Sequence, residues 1–408
     1  MVRRGFGCRA PAAVSSVEDS NNVGAPCRTK FARLLLTTAV VSVGLSLAPF
    51  DAAAVTGCTG TTIITCTSSG NNYATGIPYT TNTLDLTLIV QGSVIVTSTA
   101  AGVKIGNSDT DNDIIIDLYS GALITTTGAS ISGVRVDDAA SVYLNSSAQI
   151  TTSGSDAEGI FIDDTLGNVT VITAGDITTN GVKSRGILVS DALGNVTITS
   201  SSDITTKSNV SSSYSTGIWV GDSGNVSVTS TGDIETYGDR SRGILVTDSG
   251  NVTVNSSGDI TTRYNSNNNA GILISRNNSV DVTAGGTITT AGSPGIEIGD
   301  TYGNVSVALT GDMVAGTSFT SLPTTISNAS GIQIGESTGA VDVYLSQDSS
   351  ITTYGASAHG VYVLDTDGNV TVTTAGDITT DGKSSRGIFV NGGADVTITS
   401  SGDITTTA

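Results

Sequence analysis

Basic residues, aromatics, prolines and histidines are all scarce in this 408-residue chain. Lys and Arg together number 17 against 36 Asp and Glu, and six of the basic residues (Arg3, Arg4, Arg9, Arg28, Lys30, Arg33) precede residue 54. From residue 55 onward, 33 acidic residues face 11 basic ones, a net charge of −22. Such a surface repels phosphate backbones, so no nucleic-acid partner is expected. Aromatics make up 4% and prolines number six. The longest apolar run, Leu34 to Leu47, has about 14 residues and falls short of the ~20 that a membrane-spanning helix needs.

That run has a basic flank (Lys30, Arg33) and is followed by small residues ending in Ala52-x-Ala54. This pattern predicts a secretory signal over residues 1–54, with an n-region 1–33, an apolar core 34–47 and cleavage after Ala54. Its polar leader is long, which fits either an extended export signal or a start codon placed too early. Cys8 and Cys27 fall inside the leader. The two cysteines that remain, Cys58 and Cys66, are eight residues apart in GCTGTTIITC and are expected to form one disulfide after export. No histidine lies near them, so a metal site is not expected there, and no cofactor is expected anywhere.

What the chain has is glycine, 50 residues of it, together with Thr, Ser, Val and Ile, a chemistry of strands and turns. A Gly-apolar-x-apolar unit recurs eleven times, at Gly102, Gly133, Gly159, Gly186, Gly217, Gly243, Gly271, Gly295, Gly331, Gly360 and Gly387, at spacings of 24 to 36 residues. Most units add a GNVTV-like run and then a GDITT-like run, always in that order. Each unit thus predicts three short strands, with apolar residues alternating and turn residues between them. One unit cannot bury itself, but stacked units pair each strand with its counterparts above and below at ~4.8 Å. The expected fold is therefore all-β, a right-handed parallel β-helix (solenoid) of about 11 or more coils with three strands per coil. It should cover residues 84–408, stay open at its C-terminal end, and follow an irregular cap over 55–83. An antiparallel sandwich does not account for three strand types in one fixed order.

Two columns recur at the corners. Asn precedes the second strand at Asn168, Asn195, Asn225, Asn251, Asn304 and Asn369, where it tolerates left-handed backbone and can bond its stacked equivalent. Five positions after the repeat Gly the residue is acidic at Asp138, Asp164, Asp191, Asp222, Asp248, Asp300, Glu336 and Asp365. This column reads as a solvated turn, with a cation-binding ladder as the sharper alternative. The x position of Gly-apolar-x-apolar should point outward. From the third unit it is Phe161, Leu188, Trp219, Leu245 and Leu273, a candidate contact stripe unless neighbouring loops cover it.

The early cysteine pair, the long leader and the Gly-Asp-Ile-Thr-Thr coils together resemble the passenger region of Gram-negative autotransporters. The resemblance implies a β-helix carried through the periplasm and displayed at the cell surface or released. Its partner would be an outer-membrane barrel, and it would act in adhesion or self-association toward an unknown surface ligand. No run of amphipathic ten-residue barrel strands is present, so the barrel is expected elsewhere, on a longer chain or a separate polypeptide. No enzyme is expected: Gly221-Asp222-Ser223-Gly224 spells a serine-protease segment, but the corner recurs as Thr247-Asp248-Ser249-Gly250 and lacks a base. The single histidine, His359, reads as a surface turn residue. A carbohydrate-active β-helix is the alternative and would need carboxylates converging in a groove. A structural spacer is the third class.

Overall fold

A computed structural model describes residues 55–81, 85–107, 112–208, 214–266, 268–317 and 327–407. The expected signal, residues 1–54, lies outside them. Within each coil the three runs form strands, for example Ile218–Ser223, Val226–Ser230 and Ile234–Thr236. Each strand pairs in parallel with its counterpart one coil on, placing Ile218 opposite Ile244, Val226 opposite Val252 and Ile234 opposite Ile260. First strands build one sheet of 12 strands, third strands another of 12, and second strands a sheet of 14. The chain is a parallel β-helix with three strands per coil. The one helical element among the described residues is a single turn at Ser68–Gly70.

The alternation of apolar residues fixes which side faces in. Ile218, Val220, Val226, Val228 and Ile234 are at most 2% exposed, and their equivalents continue coil after coil. Each such side chain contributes on the order of 1.5–3 kcal/mol by leaving water. The repeat glycine follows from the same packing. A Cβ on Gly217 would lie 2.4 Å from Ile234 Cγ2 and 2.6 Å from the Gly243 carbonyl oxygen, so any larger residue would force the corner off the interior.

One interior column is polar. The last Thr of the third strand turns inward, and Thr179, Thr206, Thr236 and Thr262 are fully buried. Their hydroxyls donate to the carbonyls of Ser184, Ser215, Ser241 and Asn269 at 2.7–3.0 Å. Each bond ties the third strand to the turn that leads into the next repeat glycine, and satisfies a hydroxyl that would otherwise be costly to bury.

Stacking begins earlier than the irregular cap expected over 55–83. Ile63–Cys66 pairs in parallel with Leu86–Val90, and Ile77–Thr81 with Val103–Asn107. Inward Ile64, Ile77 and Tyr79 are at most 6% exposed and supply the core residues that the polar composition hid. Pro78 is tolerated because its strand is the edge of its sheet and the residue points to solvent. Cys58 and Cys66 are disulfide-bonded across an antiparallel pair, Cys58–Thr59 against Ile63–Cys66, that closes this end of the second-strand sheet.

Candidate functional site

The acidic column has a backbone cause. Asp138, Asp164, Asp191, Asp222, Asp248, Asp300, Glu336 and Asp365 all have φ between 46° and 55°. Asp is among the few residues that enter this left-handed region readily. Where the column breaks its chemistry, Arg276 holds φ 59° and pairs with Asp248 through two bonds of 2.6 Å. Two places in the column crowd like charges. The Glu336 carboxyl is held above its ordinary range by its hydrogen bond and charge interaction with Asp300. Asp163, Asp164 and Asp191 bring carboxylate oxygens within 4.8 Å of one another. Burial pushes Asp163 up, and the charges of Asp191 and Asp137 add to this against a bond from the Ser190 hydroxyl.

The Asn column works differently from the expectation of left-handed backbone: the left-handed residue is the acidic one. Asn168, Asn195 and Asn225 use Oδ1 to accept the backbone N–H of the asparagine one coil on, at 2.9–3.1 Å. The Asp of GDITT does the same on the next corner, where Asp203 and Asp233 accept from the N–H of Asp233 and Asp259 at 3.0 and 2.9 Å. Both columns satisfy turn amides that strand pairing leaves over.

The candidate contact stripe lies in register as one outward column, Phe161, Leu188, Trp219, Leu245 and Leu273. Neighbouring side chains cover much of it. Leu188 and Leu245 are 6% and 7% exposed, and Phe161, Trp219 and Leu273 are half-buried. The Arg135 guanidinium lies 4.6 Å from the centre of the Phe161 ring, and that of Arg185 lies 4.4 Å from Trp219. Arg185 is held by Glu158 at 3.0 Å, and Glu158 also accepts from the Ser132 hydroxyl at 3.2 Å. Burial pushes the Arg185 guanidinium down, opposed by the charge of Glu158. Over Phe161 and Trp219 a stacked arginine is a covering element, and it protects ring faces by cation–π contact. Trp219 Nε1 is buried without a hydrogen-bond partner among the described residues.

A second apolar surface, barer residue by residue, lies on the second-strand sheet near its first coils. Ile63, Ile115 and Tyr143 are 61%, 39% and 40% exposed. They share one outward column, with Thr87 between the first two. Half-buried Ile89 stands in the adjacent column, and Tyr119 and Leu123 are exposed on the corner that follows. A shallow depression lined by Thr65, Ile89, Gln91, Gly92, Tyr119 and Ser120 runs beside them. The signal was present as broken alternation, since Ile63-Ile64, Leu88-Ile89-Val90 and Ile114-Ile115-Ile116 put apolar residues on both faces at once.

The serine-protease segment is not assembled into a catalytic unit. Ser223 Oγ donates to the Gly221 carbonyl at 2.9 Å. His359 lies five coils away along the first-strand sheet, about 24 Å at ~4.8 Å per coil. His359 is also not the surface residue its turn position suggested. It is 4% exposed, because the aromatic rings of Tyr362 and Phe389 pack against it. No protein-family model matches the chain, and no curated protein or solved structure matches it either.

Proposed function

We propose that this chain is an exported, surface-displayed β-helix of the autotransporter-passenger kind, acting by contact in adhesion or self-association rather than by chemistry. The observation that carries the reading is the outward apolar group Ile63, Ile115 and Tyr143. These side chains contribute nothing to the interior, and contiguous exposed apolar surface usually marks a contact. Trp219 and its column form a second, partly covered contact region. In this reading the leader at 1–54 directs export, an outer-membrane barrel supplies passage, and the acidic remainder keeps other faces from sticking. The test is display of the full chain on bacterial cells, scoring binding to surfaces and cell clustering. Ile63→Thr, Ile115→Thr and Tyr143→Thr combined should remove most of the binding, and Trp219→Ser a smaller part. Unchanged binding in both variants would sink the proposal.

The carbohydrate-active alternative has one observation in its favour, the convergence of Asp163, Asp164 and Asp191. Carboxylates about 5–5.5 Å apart serve retaining glycosidases. Asp164 and Asp191, however, are exposed on a corner. Release of reducing ends from a polysaccharide, lost in Asp163→Asn, would move this reading ahead.

A further inference from the structure

The single histidine sits in a side-chain ladder that links three coils. The Ser330 hydroxyl accepts the backbone N–H of His359 at 3.2 Å, and His359 Nδ1 accepts the backbone N–H of Arg386 at 3.0 Å. An imidazole that accepts at Nδ1 must carry its proton on Nε2 and be neutral. The ring lies 4.7 Å from that of Tyr362 and 5.3 Å from that of Phe389, which stack on each other at 5.3 Å. The Arg386 guanidinium lies 4.3 Å from the centre of the Phe389 ring.

Among the described residues, the groups around the imidazole offer no compensation for a charge. On the coil before, Ser330 and Gln333 are uncharged, the latter in register with Tyr362. On its own coil the neighbouring ring is the phenol of Tyr362, and on the coil after, Arg386 is the charge that bears on it. Glu158 occupies the position before the repeat glycine in another coil and there pairs with Arg185.

We propose that His359 is a pH-sensitive latch between the coil that begins at Gly360 and the one that begins at Gly387. A proton taken from solvent at Nδ1 removes the acceptor of the Arg386 amide and sets a second cation beside that arginine. The strand Ile388–Asn391 then loosens and uncovers the stacked Tyr362 and Phe389 rings.

Burial first, and the Arg386 charge second, push the imidazole below its ordinary value of 6.5. The fold therefore favours the neutral ring. The stability tied to this site is fully present above pH ~6.5 and is lost as pH falls from there toward the lower value of the folded state.

Amide hydrogen exchange on the full chain between pH 7.5 and 5, corrected for intrinsic rates, tests the latch. Opening of segment 386–391 should rise by up to about tenfold per pH unit below ~6.5, while the equivalent strand Ile244–Ser249 stays unchanged. His359→Asn offers an Oδ1 acceptor in place of Nδ1 but cannot titrate, and should keep 386–391 protected across the range. His359→Phe should leave it unprotected throughout. The same pH profile in wild type and His359→Asn would overturn the proposal. A proton NMR titration of the lone imidazole in the wild-type chain needs no variant: a midpoint below 6.5 supports the latch, and one at or above 6.5 refutes it.

Discussion

On the second-strand sheet, two groups of coils share an interior and differ outside. One outward column reads Ile63, Thr87, Ile115 and Tyr143 over the first four strands of the parallel stack, then Thr170, Thr197, Ser227, Thr253 and Asp281. The inward residues beside them, Leu88, Ile116, Leu144, Val171 and Ile198, are all fully buried. Backbone pairing is the same in both groups, so the fold accepts Thr, Ser or Asp outward as readily as Ile or Tyr. The later coils use the cheap solution, β-favouring residues that water solvates. The apolar residues of the first coils therefore answer to something other than the register of the solenoid.

If that comparison holds, inward substitutions should be equally damaging in both groups. Ile116→Ala in the first and Ile198→Ala in the second should each cost about 2–5 kcal/mol in chemical denaturation of the full chain, the range for a buried Ile that leaves a cavity. A much smaller loss at Ile116 would mean that the first coils are loosely packed, and their apolar exterior would then need no separate explanation. A smaller effect is expected from the polar interior column. Thr236→Val keeps the shape but deletes the hydroxyl bonded to the Ser241 carbonyl, and should cost about 1 kcal/mol. A neutral result would assign that column to strand propensity alone.

How legible each part was in the sequence follows from the same division. Interior positions were readable because Gly217, Ile218 and Val220 and their equivalents repeat without substitution by polar residues, which is what a closed column imposes. The acidic corner was readable as Asp, although its left-handed backbone was assigned to the asparagine three or four residues on. The inward Thr of the third strand was hidden because a buried hydroxyl looks, in sequence, like an exposed one. His359 was hidden for a related reason: its burial comes from Tyr362 three residues on and from Phe389 and Arg386 one coil on, contacts that local pattern does not carry. The outward side chains were the least legible. The alternation rule assigns them a direction but not a neighbour, so the arginine lying over Trp219 was hidden, and the bare Ile63 column left only the trace of broken alternation.

The smallest effect expected on stability is also the sharpest test of the comparison. Ile115→Thr and Tyr143→Thr convert the first coils to the outward chemistry of the later ones. Each side chain is about 40% exposed and has no interior contact to lose, so each substitution should change stability by no more than about 0.5 kcal/mol. The β propensity of Thr holds the strand in place of the residue it replaces. A chain that keeps its denaturation midpoint but no longer mediates cell binding would separate contact from folding. A midpoint that falls by as much as it does in Ile116→Ala would show that the apolar exterior is structural after all, and the contrast between the two groups of coils would then be one of packing rather than of function.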